Sequence, residues 1–268
     1  MRRSILSLTI ALFACAAGAR LWAAGEAVIL DYHSFLGSGR SSLDYSLADM
    51  GAQLDRIRAL GYTFVSLDDA IAGRIEGAAN VVITIDDGNR SDYEAYKRVF
   101  EERGIKPELF IYPFPIGRSR HALTPEQLRE LAGDGCGIGA HGFFHEYMTA
   151  RAYERDPGKV MMEVRRPAPA LQKLVGARPR LFAYPFGFGC PPVAQALREA
   201  GYDWAFTAGD KIVSVDFSDP KLDHFNVPRT IVYHWNRAQI FSYLAARQGL
   251  AQAPGRESDQ REISLTRH

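Results

Sequence analysis

The stretch "VVITIDDGNRSDYE" (Val81–Glu94) carries the sharpest signal in the chain. Its apolar run reads as a buried strand, and that strand stops on two adjacent carboxylates, Asp86 and Asp87, followed by Gly88. Like charges side by side at the tip of an apolar strand repel, unless something beside them needs both. A helix signal follows at once. Ser91 with Glu94 three residues on has the form of a capping box, and Gly88 allows the sharp turn into it. If Ser91 caps the helix, the two aspartates are free for other work. The stretch is therefore one strand–helix unit with its charge delivered at the carboxyl end of the strand.

Similar units recur on both sides. "AVILDYH" (27–33) precedes helical "YSLADMGAQLDRIRALG", and "FVSL" precedes a short helix. "ELFIYP" (108–113) leads to "PEQLRELAG", where Thr124 and Gln127 give a second capping box and Gly133 a stop. "GIGAH" (137–141), a helix near 158–175, "RLFAYP" (180–185), "PVAQALREAG", "YDWAFT" (202–207), "VPRTIVY" (227–233) and a helix near 236–247 complete the series. Alternation of this kind implies an α/β fold: a parallel sheet with helical crossovers, either closed into a barrel or open and doubly wound.

The 268 residues are 47% hydrophobic and 24% charged, which is globular composition, and the net charge of +1 gives no argument for nucleic acid or an anionic membrane surface. No solenoid-type repeat is present. Residues 1–24 begin with Arg2 and Arg3, continue as an apolar run and turn alanine-rich, the order of a secretory signal peptide, with cleavage expected near Ala23 or Ala24. A membrane anchor is the alternative, but Gly18 and Arg20 interrupt the run, leaving it short of the ~20 residues a spanning helix needs. "LFAC" at Leu12–Cys15 only faintly resembles a lipoprotein processing box, because Phe13 is bulky for it. The mature chain is thus expected outside the cytoplasm, secreted or periplasmic, with no membrane span. Residues 25–249 form the domain and 250–268 a polar tail without apolar periodicity. Cys136 and Cys190 fall at opposite ends of parallel strands, which argues against a disulfide. Nothing in the pattern sets an oligomeric state.

His33, Asp86, Asp87, His141 and the Tyr184–Gly187 turn all sit at carboxyl ends of predicted strands, which converge on one face in a parallel α/β fold. In "HGFFH", His141 and His145 are four apart, a spacing that on a helical turn puts both rings on one face. With one aspartate they form a two-histidine, one-carboxylate set that leaves coordination positions open. The second aspartate could then take a proton from water acidified by the cation, which would also relieve the repulsion between the two. Zinc is the expected divalent ion, and cobalt, nickel or iron suit the same ligands.

"TIDDG" (84–88), "HGFFH" (141–145) and "FAYPFG" (182–187), in this order, resemble the polysaccharide deacetylases of carbohydrate esterase family 4, the NodB-homology enzymes, over roughly residues 27–233. The resemblance implies a distorted (β/α) barrel of about seven parallel strands and metal-dependent removal of acetyl groups from N-acetylglucosamine units of a polysaccharide. By the same resemblance Asp86 is the catalytic base, and Asp87, His141 and His145 are the metal ligands. The Phe186 N–H would help stabilise the oxyanion, and Tyr184, Pro185 and Phe186 would line the groove. Asp203 and Trp204 resemble a fourth motif, in which the tryptophan walls the acetyl pocket.

Departures from the family pattern are informative. Gly142 replaces a usual Ser or Thr, so a hydrogen bond to the ligand loop is expected to be missing, and Ala183 replaces an arginine that orients the base. The late "Leu-Leu-His" segment that supplies a general acid is absent. "LDYHSF" (30–35) offers His33 instead, as in the branch acting on poly-N-acetylglucosamine, and Arg229 in "VPR" is a candidate aid to Asp86. Poly-N-acetylglucosamine, peptidoglycan and chitin all remain compatible as substrate. A non-catalytic carbohydrate-binding domain and a hydrolase for another amide are the rival readings.

Overall fold

A computed structural model describes residues 25–250. The expected signal peptide, with Cys15, and nearly all of the expected tail lie outside the described residues. The chain opens on strand β1 (Glu26–Tyr32), then helix α1 (Leu47–Ala59), strand β2 (Thr63–Phe64), helix α2 (Leu67–Ile71) and strand β3 (Asn80–Asp87). Helix α3 (Arg90–Ala95) continues through a π-helical turn at Tyr96–Phe100 and leads to β4 (Glu108–Ile111), α4 (Pro125–Gly133) and β5 (Gly137–Ala140). Three short helices, α5 (Ala150–Arg155), α6 (Pro157–Arg165) and α7 (Pro167–Val175), precede β6 (Leu181–Ala183). Then come α8 (Pro191–Glu199), β7 (Trp204–Phe206), β8 (Ser214–Asp216), β9 (Thr230–Ile231) and α9 (Arg237–Arg247).

Parallel pairing runs from β1 to β3, β4, β5, β6 and β7. The ladder then continues through parallel bridges Phe206↔Val227 and Gly209↔Thr230 into β9, which pairs back with β1 at Leu30↔Thr230. The circuit β1-β3-β4-β5-β6-β7-β9 is the expected distorted barrel of seven parallel strands. The remaining strands fill gaps at its amino-terminal end: β2 pairs with β3 at Thr63↔Asn80, and β8 pairs antiparallel with β1 at Ala27↔Val215. This antiparallel strand was not foreseen; three residues amid Asp and Ser offer too little periodicity to register.

Period-2 alternation sorts the strands. Val81, Ile83 and Ile85 of β3 face outward into the main apolar cluster with the helices. Val82 packs inside the barrel with Ile29, Phe110, Ala183 and Phe206. Thr84 and Asp86 continue that inner side. Cys136 and Cys190 are free and buried.

Two local expectations change. Asn89, not Ser91, caps α3: its side chain accepts from Ser91 N, while Ser91 Oγ accepts the Phe35 N–H at 2.9 Å. The cap thus sits two residues earlier, and the serine ties β1's exit to this helix. The single helix expected near 158–175 is broken at Arg166 because Pro167 cannot donate to the preceding turn. The Thr124–Gln127 capping box is present in full.

Candidate active site

Adjacent residues of a strand point to opposite faces, so Asp86 and Asp87 would diverge if β3 stayed regular. Asp87 has φ +78° and Gly88 φ +75°, a left-handed pair that breaks the alternation at the barrel rim. Both carboxylates consequently converge on one imidazole: His141 Nε2 lies 3.5 Å from Asp86 Oδ2 and 3.6 Å from Asp87 Oδ1. His145 Nε2 lies 3.2 Å from the same Asp87 oxygen.

The two histidines do not share a helical turn. They flank a loop that leaves β5, with φ +69° at Gly142 and +63° at His145, and this loop folds the rings to within 4.9 Å of each other. His141 is buried and its Nδ1 is 2.8 Å from Ala183 O. A carbonyl only accepts, so Nδ1 carries the proton and Nε2 presents its lone pair to the centre. Burial, the largest influence, holds the His141 pKa below its usual value and keeps the ring neutral despite Asp86 and Asp87. Asp87 Oδ1 is buried without a hydrogen-bond donor among the described residues. Ligand atoms of Asp87, His141 and His145 therefore lie within 4.8 Å of one another, with no proton between the carboxylate and His141. That donor set fits a divalent cation.

Asp86 has a different environment. Its two oxygens accept from Arg229 Nη1 and Nη2, each at 2.7 Å, a bidentate buried pair. Burial alone would raise the Asp86 pKa, but the Arg229 guanidinium and His141 outweigh it and hold the carboxyl well below the usual range. Arg229 is itself fixed: Nη1 donates to Thr84 Oγ1 at 3.0 Å, Nε to Thr207 O at 3.3 Å, and the guanidinium lies 4.9 Å from the Phe110 ring centre. It stands just before β9 and supplies, from the entry to the last strand, an arginine for Asp86 where Ala183 provides none.

On the other side of Asp86, β1 contributes Asp31 on its inner face, and His33 follows directly after the strand. Asp31, wholly buried, lies 3.3 Å from Arg229 and is pushed up to about 7 by burial, which the arginine only partly offsets. His33 Nδ1 is buried without a partner among the described residues. Burial would lower its pKa, but Asp31, Asp86 and Asp87 together raise it. Asp31, His33 and Asp86 also bring ligand atoms within 4.8 Å. There, however, the cation between the carboxylates is Arg229, so this cluster needs no metal. Asp31 was missed in the sequence, although its spacing of two from His33 on a strand was a readable signal.

Three groove assignments need correction or refinement. Tyr184 is buried, its hydroxyl donates to Phe225 O at 3.0 Å, and its ring packs against Phe182: it belongs to the core. Trp204 is placed away from the site. It opens β7 at the amino end, stacks on His224 at 3.8 Å, and lines a cavity with Glu108, Gly137 and Leu181. Both errors come from aromatic residues whose strand position, rather than type, decides their surroundings. Pro185 is buried behind the ligand loop, whereas Phe186 is exposed, with φ +60° and its ring 4.5 Å from His145.

Residues 74–205 match the polysaccharide deacetylase family. The chain carries a polysaccharide deacetylase domain. YxkH of Bacillus subtilis (strain 168) is 24% identical over 192 residues, 70% of this chain and 66% of that relative, so the chain spans just under two thirds of its length. IcaB from Ammonifex degensii superposes with a TM-score of 0.70 at 29% identity, over 82% of this chain and 97% of that one. BC0361, a polysaccharide deacetylase from Bacillus cereus, shares the fold, with a TM-score of 0.65 at 19% identity over 82% of this chain and 69% of that one. The matched part of the deacetylase domain contains Asp86, Asp87, His141 and His145, while His33 and Arg229 lie outside it, just after the first strand and just before the last strand of the ring.

Proposed function

We propose that this chain removes N-acetyl groups from an N-acetylglucosamine-containing polysaccharide, with one divalent cation held by Asp87, His141 and His145, and that it works outside the cytoplasm. The observation that carries the reading is the division of labour between adjacent carboxylates. Asp87 faces two imidazoles, with the His141 lone pair turned toward it, and Asp86 faces a guanidinium.

A cation bound at the first set supplies the positive charge that acidifies water and polarises the acetyl carbonyl. Asp86, kept ionised by Arg229, accepts the proton of the attacking water. A carboxylate held so far down is a weak base, which is why the water itself needs acidifying. The Phe186 N–H, presented on a strained turn, stabilises the oxyanion as oxygen bonds to the acetyl carbon. His33, raised in pKa by its acidic neighbours, donates a proton to the nitrogen as the C–N bond breaks, releasing acetate and a free amine.

Aromatic pairs at the mouth suit a polymer. Tyr147 and Phe186 stack at 3.9 Å beside His145, and Tyr233 and Trp235 stack at 5.0 Å just beyond β9. Phe186 and Trp235 are 41% and 58% exposed, flat apolar faces on which sugar rings can rest. The early acid His33 favours poly-N-acetylglucosamine over peptidoglycan or chitin. Among the described residues no helix is long and apolar enough to cross a membrane.

The test is to incubate the protein with each polymer, in chelator and then with zinc, cobalt, nickel or iron restored, and to measure free amines. Metal-dependent amine release from one polymer is expected. Polymer binding with no acetate or amine released under any metal would make it a binding domain instead.

A further inference from the structure

We propose that Glu163, on α6, is the positioning residue of the metal-ligand loop: its buried carboxylate holds His145 in place by gathering the backbone N–H groups behind it, and so sets the protein's affinity for a divalent cation. The inference rests on the ligand set proposed above.

The loop from Gly142 to Glu146 makes no regular ladder, so its N–H groups need partners from elsewhere. One side chain supplies them. Glu163 Oε2 accepts from Phe143 N at 2.7 Å and Phe144 N at 3.0 Å, and Glu146 N approaches it at 3.5 Å; Oε1 accepts from Phe144 N at 3.2 Å. Glu163 is wholly buried, and no lysine or arginine pairs with it among the described residues. Its charge is met by the converging N–H dipoles, a concave backbone nest of the kind that binds anions, here filled by the protein's own carboxylate. Arg166, one turn on, lies over the rings of Phe143 and Phe144 and packs the same loop onto α6.

Gly142 is explained by the same contact. A Cβ there would lie 2.5 Å from Glu163 Oε2. The Ser or Thr hydroxyl expected at this position is not simply lost; a carboxylate from α6 occupies its space and bonds the loop in its stead. Helix α6 brings Glu163 there because it falls between Val160 and Val164 on the buried face.

The three ligands are not equally dependent on this clamp. Asp87 is held at the end of β3, and His141 is held by Ala183 O and by its own N–H to Ile111 O at 2.9 Å. His145 stands on the loop itself, with its left-handed backbone following the clamped N–H groups. Glu163 therefore acts through His145.

The test uses the full chain and two readouts. Glu163→Gln keeps the shape but turns an NH2 group toward N–H donors. Zinc affinity, measured by competition with a chromogenic chelator, should fall about 10- to 100-fold, the usual cost of losing a group that orients a ligand. In a His145→Ala background the same change should alter affinity less than about threefold, since the ligand it orients is already gone. In metal-free protein, amide exchange at residues 143–146 should quicken in Glu163→Gln, which reads the clamp without any metal. Unchanged exchange, or an equal affinity loss with and without His145, would overturn the clamp. Wild-type protein that binds no zinc but shows the exchange change would overturn the ligand assignment while leaving the clamp standing.

Discussion

Glu108 opens β4 inside the barrel, at the end opposite the site, and its carboxylate lies over Gly137 and Gly139 of the next strand, where a Cβ would come within 1.7 and 3.1 Å of its oxygens. Burial, reinforced by Asp68 and only weakly opposed by Arg229, pushes its pKa from 4.5 up to about 8. The folded chain therefore keeps a proton that the unfolded chain has lost between those two pH values. Stability from this group is whole below pH 4.5 and declines as pH rises through 8. At 1.36 kcal/mol per pH unit across that window, the full decline is about 5 kcal/mol. Glu108→Gln removes the proton but keeps the shape. Melting curves in chelator should match at pH 5 and separate as pH rises, with the variant higher by on the order of 10 °C at pH 9 for a domain of this size. Parallel curves for variant and wild type from pH 5 to pH 9 would refute the burial argument.

The catalytic assignments give further tests. Asp86→Asn should keep zinc and lose activity by roughly two to four orders of magnitude, whereas Asp87→Asn should lose zinc; the reverse pattern in elemental analysis would mean their roles are exchanged. His33→Ala should cripple turnover on an amide but spare an activated acetate ester, whose leaving group needs no proton, and equal losses on both would remove His33 from proton transfer. Trp235→Ala should raise KM for long oligosaccharides with little change in kcat for short ones, and a length-independent effect would dissociate Trp235 from the polymer track.

The barrel and its charged tip were legible because both rest on strong local signals. An apolar run ending in two aspartates can be read without tertiary information, as can the Thr124–Gln127 cap. What escaped the sequence was set by long-range geometry. Arg229 reaches Asp86 across 143 residues; "VPR" offered it only as a candidate aid to that carboxylate, and no local pattern could show the bidentate pair or the contact with Asp31. Glu163 looks like any helical glutamate until the loop folds over it. Trp204 and Tyr184 have the composition of a sugar site, yet position on their strands puts one at the far end of the barrel and the other in the core. The histidine pair shows the converse: the right residues emerged from a spacing argument whose helical premise does not hold.

The barrel closes where β9 meets β1, and that seam places Arg229 against Asp31 and Asp86. During synthesis the two aspartates emerge long before the arginine. Until residue 229 docks, any compact intermediate must bury Asp86 without its counter-ion or leave the inner face of β3 wet. The Asp86–Arg229 pair is thus assembled last, and a polypeptide interrupted before the seam would possess Asp87, His141 and His145 while lacking the guanidinium that keeps Asp86 ionised. On the function proposed above, completion of the chain is the step that would arm the site.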